Sequence, residues 1–201
     1  MISMNKTKCE DFNLFDDDDD NKNQLDVYNL VDKKLLAQRV IHLNSVMDEG
    51  LMNTIMMKIQ LLAKRSDEPI TIYINTPGGT VYYGLALYDV CKSVRAPIRV
   101  VGQGIVASMG AFAIICCGEK GERYAHKNTT FMVHQVSTTS MGKLNDVEVD
   151  YEETKRIEQL TEGLMSRHSK LTKKQIKELV KKDHYFNAET ALKYGFIDKI
   201  I

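Results

Sequence analysis

The chain has 201 residues, 43% of them hydrophobic, and its 27 basic side chains are balanced by 27 acidic ones. That size suits one domain with room for an extra arm, and the neutral balance gives no electrostatic case for nucleic acid or an anionic membrane. No apolar run approaches the roughly 18 residues of a spanning helix, the four cysteines lack metal-ligand spacing, and the start is acidic rather than signal-like. The expectation is a soluble, cytoplasmic protein without a metal.

Residues 1–24 stand apart as an acidic arm, with Phe12, Leu14 and Phe15 ahead of five successive aspartates, Asp16–Asp20. Like charges at that density repel, so a flexible segment is expected. From Asp26 onward the pattern alternates between strand and helix. Val40–Leu43 is a short strand candidate, and Leu51, Met52, Ile55, Met56, Ile59, Leu62 and Ala63 share one helical face. After Pro69, Ile70, Ile72 and Ile74 alternate as a half-buried strand. Asn75–Gly79 is a turn, and Leu87, Val90, Cys91 and Val94 belong to the next helix. Pro97 precedes a strand at 98–101, Gly102 and Gly104 loosen the chain, and Met109–Cys117 is apolar enough for a buried helix. Cys116 and Cys117 suit packed thiols better than disulfides. Phe131–Val133 is a further strand.

A helix with few breakers runs from about Gly142 to His168, with Leu144, Val147, Tyr151, Thr154, Ile157, Thr161 and Leu164 on one stripe. Its length predicts that it protrudes or meets another subunit. Thr172 and Gln175 form a capping-box signature. Asn187 reads as an N-cap and Gly195 as the stop of the last helix. Repeated strand–helix units predict an α/β domain with a largely parallel sheet.

Chemistry is suggested first by Ser108, which opens the apolar helix where unpaired N–H groups and the positive end of the macrodipole meet. A nucleophile and an oxyanion hole can share that corner, although serine is also a favoured N-cap. Of five histidines, His134 is the best base, because it ends a strand. Asp183, expected in a partly buried turn between Val180 and Tyr185, is the best orienting acid. Asp146 and Asp150 read as solvated charges on the long helix, and Asp198 as a cap for a terminal turn. Gly78 and Gly79 allow a close backbone approach, so their turn can supply one oxyanion donor and the N–H of Met109 the other. No Lys-Ser/Thr follows the glycines, so the turn is not a phosphate loop. The order Ser108, His134, Asp183 differs from the three common hydrolase orders, and Val106 replaces the first glycine of a nucleophile elbow.

Four segments together resemble the ClpP family, the proteolytic subunit of the Clp protease. They are Tyr73-Ile-Asn-Thr-Pro-Gly-Gly79, Gly102-Gln-Gly-Ile-Val-Ala-Ser-Met-Gly-Ala-Phe112, Met132-Val-His-Gln135 and the stretch from Asp183 to Asp198. The resemblance covers about residues 25–201. It implies a ClpP/crotonase-like fold with a protruding handle helix at 142–168, and a peptidase domain over 25–201. Ser108 matches the nucleophile, His134 the base, Asp183 the acid, and Gly79 and Met109 the oxyanion donors. It further implies two stacked heptameric rings (a tetradecamer) enclosing a chamber where peptides and unfolded proteins are cut without cofactor. An ATP-driven AAA+ unfoldase would feed that chamber.

The chain departs from the family pattern at Val136-Ser-Thr-Thr-Ser140, where Pro and glycines are usual after Gln135, and at Lys182, where arginine is common. The acidic arm stands where an apolar axial hairpin is usual. Two other functions share parts of the pattern: a non-catalytic ring subunit regulating an active paralogue, and a crotonase-class enzyme acting on acyl-thioesters. Neither needs Ser108, His134 and Asp183 together.

Overall fold

The computed structural model describes the backbone of residues 20–201 and side chains from residue 27 onward. Cys9 and the part of the acidic arm before residue 20 lie outside the described residues. From there a helix, α1 (Asp20–Ala37), runs to the end of a first compact unit at Gln38. The sequence reading assigns no element there. The second unit, Arg39–Ile201, holds the whole sheet. Arg39 opens it with φ 62°. Its guanidinium donates to the carbonyls of Leu62, Ser66, Glu68 and Pro69, gathering the acceptors where the next helix ends.

The strand–helix alternation is as expected. It begins with β1 (Val40–Leu43), α2 (Glu49–Arg65), β2 (Ile70–Thr76) and α3 (Val81–Ser93). Asp48 caps α2 by accepting from Leu51 N, and Met52, Ile55, Ile59 and Leu62 are its buried face. Along β2 the isoleucines at 70, 72 and 74 are buried while their neighbours are half-buried, the period of a strand with one covered face.

The next strand, β3 (Ile98–Ala107), is longer than the 98–101 predicted. Gly102 and Gly104 bend it without ending it. Its first half pairs with β4 (Arg123–Ala125) and its second half with β5 (Thr130–Val133), all parallel. At the change of partner the β2–β3 register slips between Ile74 and Thr76. Gly104 has φ 59°, and the Asn75 side chain fills the irregularity by accepting from Ile105 N at 3.0 Å. Neither β4 nor the later strands β6 (His184–Asn187) and β7 (Lys199–Ile200) were expected; none carries an apolar alternation or run of its own. The path β1-β2-β3-β4-β7 is parallel throughout, and only β5–β6 is antiparallel.

All eight residues of α4 (Met109–Cys116) are buried, as the apolar run predicts. Cys91, Cys116 and Cys117 are free, buried thiols. The long helix α5 (Leu144–Arg167) buries Ile157, Thr161, Leu164 and Met165. Leu144 and Tyr151, on the apolar stripe read from the sequence, are exposed, so only the C-terminal half is packed on the domain. Beyond it, α6 (Lys173–Leu179) has its full capping box, and α7 (Ala188–Tyr194) starts at Asn187 and stops at Gly195 with φ 73°. Asp198 does not cap a terminal turn. Its carboxylate accepts from the guanidinium of buried Arg123 and from the N–H groups of Gly121 and Arg123.

Candidate active site

Ser108 stands between β3 and α4 with φ 54° and ψ −120°. An L residue rarely takes such a backbone, and it costs of order 1–3 kcal/mol. The main chain is held on both sides, since Ser108 N donates to Met132 O at 2.8 Å and Phe112 N donates to Ser108 O at 3.1 Å. The side chain makes no capping bond to the helix. The N-cap explanation of this serine is thereby overturned: Oγ lies instead 2.8 Å from Nε2 of His134.

His134 and Asp183 meet because of strand register. The antiparallel pair β5–β6 ends with Val133 opposite His184, so the residue after one and the residue before the other emerge side by side. Nδ1 of His134 is 3.8 Å from Oδ1 of Asp183. Asp183 is not partly buried as expected, because its side chain is 67% exposed. The structure thus brings all three predicted side chains into one line.

Opposite Ser108 lies the Thr76–Thr80 turn. Gly78 has φ 97°, and a Cβ there would come within 2.7 Å of Ser108 Cβ and 2.9 Å of Met109 N. A Cβ on Gly79 would meet Met47 O at 2.5 Å. Each position therefore excludes a side chain on steric grounds. The turn is sewn down by Met47 N donating to Gly78 O (2.8 Å) and Thr80 N donating to Met47 O (3.2 Å). Buried Thr76 adds a hydroxyl that donates to Ser45 O at 2.6 Å and accepts from Gly78 N at 3.0 Å. Sequence reasoning missed Thr76 and Met47. A threonine just before Pro-Gly-Gly is a readable turn signal, whereas nothing local marks Met47. Gly79 lies within this turn and Met109 begins α4, where a first-turn N–H has no partner within its helix.

A cavity of about 640 Å³ opens beside Ser108. Its buried part is apolar, with Phe112, Ile157 and Met165. Thr154 and Thr161 also line it, but their hydroxyls donate back to helix carbonyls at Asp150 and at Ile157 and Glu158, leaving methyl groups for the cavity. The exposed rim holds Tyr82, Asp150 and Glu153. Asp150, expected to be merely solvated, accepts from Ser140 at 2.6 Å. Hydrogen bonds from Arg156 first, then Tyr82, hold the Glu153 carboxyl down to about 2. Among the described residues no cluster of three or more metal-ligating side chains occurs, and no helix is long and apolar enough to cross a membrane.

Residues 21–201 match the family model described as Clp protease. The chain is 35% identical to ATP-dependent Clp protease proteolytic subunit 2 of Thermobifida fusca, over 87% of this chain and 86% of that one. It is 32% identical to the ATP-dependent Clp protease proteolytic subunit of Dehalococcoides mccartyi, over 88% and 86%, and to that of Deinococcus radiodurans, over 84% and 82%. With this match over nearly all of the described residues, the chain belongs to the Clp protease family, as a serine endopeptidase of the ClpP kind.

Proposed function

We propose that Ser108, His134 and Asp183 act as nucleophile, base and orienting acid, and that the N–H groups of Gly79 and Met109 form the oxyanion hole. The single observation that carries this reading is the 2.8 Å contact from the strained, uncapped Ser108 to His134. His134 Nε2 takes the hydroxyl proton as Oγ adds to the peptide carbonyl, and the C–N bond then breaks as the same proton passes to the leaving amine. Water repeats the sequence on the acyl-enzyme and restores Ser108. The Asp183 carboxylate supports the imidazolium formed at each addition. Each oxyanion donor is worth roughly 3 kcal/mol of barrier.

The apolar cavity beside Ser108 suits a peptide with an aliphatic or aromatic side chain at the cleavage point. Assembly into two stacked heptameric rings, and feeding by an AAA+ unfoldase, are proposed from the family. The names of the relatives include ATP dependence, while this sequence has no phosphate loop of its own. The exposed apolar residues of the first half of α5, Leu144, Val149 and Tyr151, support its use as a handle between subunits. An acidic arm over 1–24 and a peptidase domain over 25–201 complete the proposal. The test is fluorophosphonate labelling combined with native mass measurement. Labelling at Ser108 in a ring-sized particle is expected, and an unlabelled particle that still cuts peptides would sink the assignment.

A further inference from the structure

Two of the walls of the cavity beside Ser108 are built differently. One is the turn at Gly78–Thr80 with the first turn of α3, fixed from behind by the Met47 backbone. The other is α5, packed where Ile157, Thr161 and Met165 line the cavity but thinly supported at the rim around Asp150 and Glu153, where the helix runs on into exposed Val149 and Leu144. Among the described residues, one side-chain bond ties α3 to the C-cap of α5 and one ties it to α5 itself. At the packed end, Tyr88 Oη lies 3.2 Å from Nε2 of His168, the residue after α5. At the cavity rim, Tyr82 Oη donates to Glu153 Oε1 at 2.9 Å across 71 positions of sequence. Glu153 is steadied in turn by Arg156, whose Nε and Nη2 donate to its two oxygens at 2.7 and 2.8 Å.

We infer that the Tyr82–Glu153 bridge sets the spacing of the two cavity walls, making both residues positioning residues for the peptide side chain that enters beside Ser108. This rests on the peptidase reading above. A bridge of two exposed groups contributes little to folding, but it joins the fixed wall to the loosely held one at the point where substrate enters. Glu153 is a carboxylate at neutral pH, since the bonds from Arg156 and Tyr82 hold its carboxyl down to about 2. The spacing of the walls limits the girth of the side chain admitted.

The experiment compares full-length wild type with Tyr82→Phe, Glu153→Gln and the double variant on a peptide series whose cleavage-point side chain grows from Leu to Trp. Fluorophosphonate labelling of Ser108 is read in parallel. Each single variant is expected to raise KM for the Leu peptide about two- to fivefold, with kcat changed less and the preference shifted towards Trp. The double variant should match the singles, because either change removes the same bond. Wild-type KM and preference in both singles, or single effects that multiply in the double, would overturn the bridge while labelling leaves the peptidase reading standing. A wild type that neither labels nor cuts would overturn both.

Discussion

The Asp183 carboxylate stands 3.8 Å from Nδ1 of His134, while Nε2 of the same ring is 2.8 Å from Ser108 Oγ. The imidazole is thus bonded tightly on the serine side and loosely on the acid side. Catalytic contacts often tighten only as charge develops. Asp183→Asn keeps the shape and removes the charge that supports the imidazolium. We expect kcat/KM to fall by about 10² to 10⁴-fold, measured on a short fluorogenic peptide. A loss below threefold would mean that another group orients His134.

Ser108→Ala and Ser108→Gly should both abolish turnover, but they should differ in stability. At φ 54° and ψ −120° alanine keeps the backbone strain of serine, whereas glycine relieves it. After the greater flexibility of unfolded glycine is subtracted, Ser108→Gly should be more stable than Ser108→Ala by about 1 kcal/mol. Chemical denaturation of the two inactive proteins reads this difference directly.

Glu162 is buried on α5, and its Oε1 has no hydrogen-bond partner among the described residues. Burial raises its pKa, the Glu158 charge raises it further, and Lys177 and Lys173 oppose the shift. A carboxyl raised on folding contributes stability that is fully present below its unfolded value and lost as pH rises through the folded one. Glu162→Gln should therefore gain stability over wild type at neutral pH, by about 1 kcal/mol, and lose that advantage near pH 4. Melting curves at the two pH values test the sign.

Asp198 shows the opposite linkage. Burial alone would raise its pKa, but the bonds from Arg123 and from the Gly121 and Arg123 N–H groups outweigh this and lower it. Its contribution is present above the unfolded pKa and lost as pH falls through the folded one. Asp198→Asn leaves the buried Arg123 charge without its counter-ion. The expected cost is about 3 kcal/mol at neutral pH, a fall in Tm of about 6–12 °C, and it should shrink in acid.

Much of the fold was legible because local pattern and burial coincide. Ile70, Ile72 and Ile74 alternate as their strand does, Thr172 and Gln175 cap as written, and α4 is as buried as its composition implies. The rest depends on non-local pairing. Gly102 and Gly104 read as a break, yet neighbours on both edges keep β3 extended through them. Strands such as Arg123–Ala125 exist only because a longer strand lies alongside. At the site, Ser108 and His134 could be singled out by type and position. The exposure of Asp183, the positive φ of Ser108 and the stitch from Met47 could not, since each is imposed by segments distant in the chain.

Every residue of α4 is buried, and Gly110 near its start would place a Cβ 2.5 Å from Thr76 Cγ2. The start of the helix is thus pressed against β2, and Ser108 keeps its place while the interior stays packed. Turnover thereby becomes a gauge of the interior: under heat or urea, activity should decay with the loss of core packing rather than ahead of it. A serine mounted on a surface helix would instead fall silent long before the protein melted.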